Sequence, residues 1–193
     1  METKKMKKID KYIKKMSQVK LYYFEDEIYG VILRQSEKFI LIRDIKDWHY
    51  DGYMIFPKKY ISKIKYTKVE KFREKVMNES ISKINNIQWL NLNTYDTLFS
   101  ALMKNYNEIC IEGASEEVNQ FMIGKIAGYS KKSLAINKLD IYAKLSSKKI
   151  EIPIKEITCI YFKDEYSSKL FAYNTFSRKT AGKQGSVATL KIT

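Results

Sequence analysis

The segments 55–66, IFPKKYISKIKY, and 151–162, EIPIKEITCIYF, hold the chain's only two prolines, Pro57 and Pro153. Each proline is followed by a lysine two residues on and by isoleucines four and seven residues on. The match extends upstream. Without a gap, Gly30 aligns with Gly124, Ser36 with Ser130, Lys38 with Lys132, Ile40 with Leu134 and Ile42 with Ile136. Across a connection that differs by two residues, Lys59 meets Lys155, Ile61 meets Ile157, Ile64 meets Ile160 and Tyr66 meets Phe162. One structural unit is therefore written twice, with Gly30, Pro57, Ile61, Ile64 and Gly124, Pro153, Ile157, Ile160 as its markers.

These positions have physical roles. Alternating isoleucines place one face of each strand toward a core, and a proline at a strand start removes no ladder hydrogen bond. A glycine inside a strand marks a bulge, a bend or a close backbone approach. Segments such as VKLYYFE, IYGVILRQ, KFILIRDI and GYMIFP in the first copy, and EICIEG, SLAINKLDIY and KKIEIPI in the second, read as short antiparallel strands. Between Ile45 and Gly52, KDWHYDG reads as a longer connection.

Helical spacing recurs in three places. Met6, Ile9, Ile13 and Met16 form a stripe that predicts an N-terminal helix docked on the protein's own core. Val69, Phe72 and Val76 predict a short helix over 68–77. The segment 93–106, NTYDTLFSALMKNY, predicts another, opened by Asn93 or Thr94 as N-cap, with Leu98, Leu102 and Met103 facing inward.

Each copy, a helix followed by about five short strands, resembles the Sm-like and SH3-like small β-barrels, including the bacterial RNA chaperone of the Sm superfamily. It is also similar to two-copy proteins of Gram-positive bacteria with a GxI…DG…I…I layout. The resemblance implies a mainly β fold with flanking helices (α+β): two five-stranded, strongly bent SH3/Sm-like barrels joined by a helical linker. The expected organisation is residues 1–77 for the first helix and barrel, 78–93 for the linker, 94–174 for the second unit and 175–193 for a basic tail. Sm-type RNA binders carry Asp and Asn in the turn after the glycine strand, and Arg-Gly or Lys-His in a second loop. The corresponding turns here are RQSEKF and GYSKKSL, then PKKYIS and PIKEIT.

The formal net charge of +14 is concentrated at the ends. Residues 1–20 hold eight lysines against Glu2 and Asp10, and residues 166–193 hold five cations and no acid. Clustered lysines recruit phosphate by releasing counterions. Two observations temper this reading: only four cations are arginines, the side chain suited to bidentate phosphate and guanine contacts, and abundant Lys, Ile, Asn and Tyr together are also what a strongly AT-biased genome produces. No apolar run approaches the ~20 residues of a membrane span, and the N-terminus lacks a secretory signal, so a cytoplasmic location is expected. Cys110 and Cys159 lie in alternating apolar segments and read as buried thiols.

The functional expectation is a non-enzymatic binding or adaptor protein for RNA or single-stranded DNA. Lys58, Lys59, Lys63, Lys65, Lys131, Lys132 and Lys155, interleaved with tyrosines, would supply phosphate contacts beside stacking rings. The alternatives are a protein-interaction module of accessory or immunity type, and a metal-dependent nuclease using Asp44, Asp47, His49 and Asp51. The nuclease reading competes with a polar inter-strand loop, which the sequence favours because the second copy lacks the histidine. AGKQGS at 181–186 fails the spacing of a phosphate loop, and no catalytic residue, metal ligand set or cofactor motif is assigned.

Overall fold

The computed structural model describes residues 2–24, 26–77, 87–113 and 121–184, with side chains over 9–24, 26–77, 87–113 and 121–176. Helix α1 (Glu2–Lys15) leads into β1 (Gln18–Tyr23), β2 (Asp26–Gln35), β3 (Phe39–Lys46), β4 (His49–Pro57) and β5 (Ile61–Lys65). Helix α2 (Lys68–Met77) follows. The second half begins with α3 (Tyr95–Asn105) and continues through β6 (Glu108–Gly113), β7 (Met122–Tyr129), β8 (Ser133–Leu139), β9 (Leu145–Pro153) and β10 (Ile157–Phe162) to α4 (Glu165–Gln184).

All ten strands belong to one antiparallel sheet in the order β5-β1-β2-β3-β4-β10-β6-β7-β8-β9. Each half has the same internal order, with its last strand paired back on its first. The expected mainly β, α+β class is present. Of the two expected barrels, the structure shows two five-stranded halves of one sheet that is not closed, joined where β4 pairs with β10 through Ile55↔Ile160, Met54↔Tyr161 and Tyr53↔Phe162. Both strands are apolar at the joint, so pairing them buries side chains that a separated barrel would leave wet.

The duplication extends to the hydrogen bonds of the second and third strands of each half. Register shifts fall between Ile32 and Arg34 in β2 and between Ile126 and Gly128 in β7, the same place in both copies. Gly30 and Gly124 sit just before them, where a Cβ would meet the Arg43 carbonyl oxygen at 2.7 Å and the Asn137 carbonyl oxygen at 2.5 Å. Glycine there is a close-approach requirement. The Ser36 hydroxyl accepts from the amides of Lys38 and Phe39, and the Ser130 hydroxyl from those of Lys132 and Ser133. This closes the two equivalent turns and explains the serine of the repeat.

One apolar cluster runs through both copies, joining Val31, Leu41 and Ile55 to Ile109, Ile136 and Ile160. Of the expected linker 78–93, residues 78–86 lie outside the described residues. The rest carries no helix and is packed: Ile87, Leu90 and Leu92 are buried, and Arg34 donates to the Ile87 and Leu90 carbonyls at 2.9 and 2.8 Å.

Other expectations are corrected locally. The connection between β3 and β4 is a two-residue turn, Asp47 and Trp48, both at positive φ, because β4 takes in Asp51 and Gly52 through a bulge. Helix α3 is capped by Thr94 and buries Leu98, Phe99 and Leu102, whereas Met103 is exposed. Of the expected basic tail, residues to Gln184 continue α4, and 185–193 lie outside the described residues. As expected, α1 docks on the core, through buried Ile9 and Tyr12. Helix α2 forms, but Val69, Phe72 and Val76 face solvent.

Candidate nucleic-acid interface

Pro57 and Pro153 each open a single 3-10 turn, Lys58–Tyr60 and Ile154–Glu156. Their φ values of −61° and −58° are those the pyrrolidine ring fixes, so the chain enters both turns pre-set. In the first copy the Lys58 amide donates to the Lys38 carbonyl at 2.8 Å. In the second, the Ile154 amide donates to the Lys132 carbonyl at 2.9 Å. The Ser-x-Lys turn therefore supports the proline turn in each copy.

The β4–β10 joint brings the two proline turns together. The Tyr60 hydroxyl donates to the Lys155 carbonyl at 2.8 Å. Between them lies a cavity of about 560 Å³ with Phe39, Ile40, Ile61 and Ile64 among its apolar walls and Tyr95 of α3 at one side. Lys38, Lys58, Lys59 and Lys155 also line it, with Glu37 as the acid. Lys58 Nζ donates to Gln35 Oε1 at 2.7 Å, and Lys59 Nζ lies 4.5 Å from the Tyr60 ring. Burial pushes the Tyr95 phenol up to about 12, helped by nearby Tyr60, so it stays a neutral donor at physiological pH.

Three of the seven sequence-predicted lysines, Lys58, Lys59 and Lys155, thus meet at one cavity. Lys63 and Lys65 do not. They lie 5.9 and 4.6 Å from the Tyr22 ring on the outer face of the β1–β5 ladder, opposite to Ile64. Lys131 and Lys132 occupy the exposed β7–β8 turn and do not line the cavity. Lys38 and Tyr95 were missed as site residues. Lys38 was legible as part of the repeat, but only the fold shows that its turn abuts the proline turn.

The acid-rich 44–51 segment is employed structurally. Asp51 Oδ1 accepts the Glu165 amide at 2.8 Å, and Asp164 Oδ1 accepts that of Ser167 at 2.8 Å, so two carboxylates serve the start of α4. Asp44 is half-buried, and loss of solvent, reinforced by the Asp51 charge, pushes its carboxyl up to about 6. His49 is exposed, and its Nδ1 lies 3.4 Å from the Asp47 carbonyl oxygen. Among the described residues no group of three His, Cys, Asp or Glu side chains is placed to hold a metal ion. Cys110 and Cys159 are fully buried, and burial raises both thiols far above their ordinary range. No helix among the described residues is long and apolar enough to cross a membrane.

The class defined here is a mainly β chain of two like halves fused edge to edge. No family model matches it, and neither a curated protein nor a solved structure does.

Proposed function

We propose that the chain is a non-enzymatic binding protein for single-stranded RNA or DNA, built from two Sm/SH3-like units, and that its cleft lies between the two proline turns. The observation that carries this reading is the convergence of Lys38, Lys58, Lys59 and Lys155, drawn from both copies, on one apolar cavity walled by Phe39 and Tyr95. Phosphates would lie along the lysines while a base enters the hollow, the combination that gives single-strand binders affinity without strict sequence preference. The test is fluorescence anisotropy with labelled oligo-U and oligo-dT of about ten nucleotides, the length scale of one small-barrel site. Salt-sensitive binding that is lost in Lys58→Glu/Lys59→Glu supports the proposal. Absence of binding at low salt, or indifference to these reversals, overturns it.

A protein-interaction module is the second reading. In its favour, among the described residues the sheet ends at β5 on one side and β9 on the other, each paired on one flank only. Such edges accept an added strand from a partner. A protein that co-purifies in high salt, with no oligonucleotide binding, would select this reading.

A further inference from the structure

Helix α2 is mounted with its acidic side inward. Glu70, only 2 % exposed, accepts from the amide and hydroxyl of Thr67 at 2.5 and 2.6 Å. Glu74 accepts the Gln18 amide at 2.7 Å through Oε1 and the Tyr66 hydroxyl at 2.9 Å through Oε2. Both acids of the helix are thus consumed by the protein's own β1 and by the turn before the helix. Burial alone would raise the Glu70 carboxyl, but the Thr67 bonds hold it below its usual value, so it stays charged and anchored.

The outward side is the reverse of what a helix on a soluble domain ordinarily presents. Val69, Phe72 and Val76 are 56, 59 and 54 % exposed and recur at spacings of three and four. Lys68, Lys71 and Lys75, all exposed, run beside this stripe. On its other side, half-exposed Trp48 stands with its ring 4.5 Å from the Arg73 guanidinium. Beyond Lys71, a small hollow is lined by Lys11 and Lys15 of α1, which widens the cationic area.

We propose that this face seats the protein on an anionic lipid bilayer, with Phe72, Val69 and Val76 entering the headgroup–acyl boundary and the lysines meeting lipid phosphates. Two arguments favour a bilayer over a protein. The stripe from Val69 to Val76 is only about 10 Å long at the helical rise and about 10 Å wide, on the order of 100 Å², far short of the roughly 800 Å² per partner of a stable protein interface. A bilayer sets no such minimum, because shallow apolar insertion and lysine attraction to anionic headgroups act together. Self-pairing of α2 is opposed by charge: an antiparallel copy would set Lys68 and Lys75 against each other, with no exposed acid on the helix to offset them.

The test is flotation of nuclease-treated, full-length protein with vesicles of phosphatidylcholine alone or with about 30 % phosphatidylglycerol, a surface charge comparable to an anionic leaflet. The expected result is flotation with the anionic vesicles only. Val69→Ser/Phe72→Ser/Val76→Ser and Lys68→Glu/Lys71→Glu/Lys75→Glu should each reduce bound protein at least about tenfold. These side chains are exposed, and circular dichroism confirms that each variant is folded. Lys58→Glu/Lys59→Glu, in the oligonucleotide cleft, should float like the parent, which separates this proposal from the preceding one. Three results overturn it: no flotation at low salt, flotation unchanged in the serine variant, or a concentration-dependent dimer that Phe72→Glu abolishes.

Discussion

The Tyr60 hydroxyl donates to the Lys155 carbonyl across 2.8 Å, and with that bond the proline turn of one copy closes on the proline turn of the other. The bond is at the protein surface, so its net worth is that of an ordinary hydrogen bond. Tyr60→Phe is expected to cost about 0.5–1.5 kcal/mol in urea unfolding. It should also weaken oligonucleotide binding, because the second copy's Lys155 would no longer be held beside the first copy's lysines. Unchanged binding would show that the two turns act independently.

The lysines divide by position. Lys58→Glu/Lys59→Glu replaces two cations of the cavity with anions and should lower the salt slope, log K against log salt, by roughly 0.7 per lost phosphate contact. Lys131→Glu/Lys132→Glu changes the net charge equally, but these side chains sit on the other copy's exposed turn and do not line the cavity. Its slope should stay near the parent's. Equal losses in both variants would mean that net charge, and no particular site, governs binding.

Asp44 makes stability depend on pH. Its carboxyl ionises near 6 in the folded chain and near 3.8 when free, so the native state holds the proton more tightly. The stability this contributes is complete below about pH 4 and falls as pH rises through 6, by at most about 3 kcal/mol at 1.36 kcal/mol per pKa unit. Asp44→Asn should therefore be more stable than the parent at pH 7.5 and near parity at pH 4, read from urea midpoints. A deficit at pH 7.5 would show that the ionised carboxylate is needed.

Ser36→Ala and Ser130→Ala test the duplicated turn. Each removes a hydroxyl that accepts two backbone amides in a partly exposed turn, with an expected loss of about 1 kcal/mol. The two sites share no partner, so the double variant should lose the sum within a few tenths of a kcal/mol. Strong non-additivity would mean that the halves unfold through a coupled rearrangement.

Strands and bulges were legible because their determinants are local. Isoleucine alternation and the paired glycines specify β2–β3 and β7–β8 without reference to anything distant. The cleft was not, because it exists only where β4 meets β10, and a pairing between residues about 100 positions apart leaves no periodic trace. The same limit explains α2. Spacings of three and four tell that Val69, Phe72 and Val76 share a side, but not that Glu70 and Glu74 would claim the inner one. The turn at Asp47 and Trp48 was hidden for a different reason: tryptophan at positive φ is a conformation that residue preferences argue against.

The β4–β10 joint is head to tail: a fourth-type strand meets a fifth-type strand, and among the described residues the sheet ends with one of each, β9 and β5. A head-to-tail contact can in principle repeat from molecule to molecule, closing into a ring or growing into a filament. The inner pair meets through Met54, Ile55, Ile160 and Tyr161, whereas the outer strands carry Lys148 and Lys149 on β9 and Lys63 and Lys65 on β5. Lysine on an open strand discourages further pairing. Charge at both edges is therefore expected to oppose the addition of further copies of the chain while leaving a complementary acidic strand free to pair, so self-association should rise in high salt.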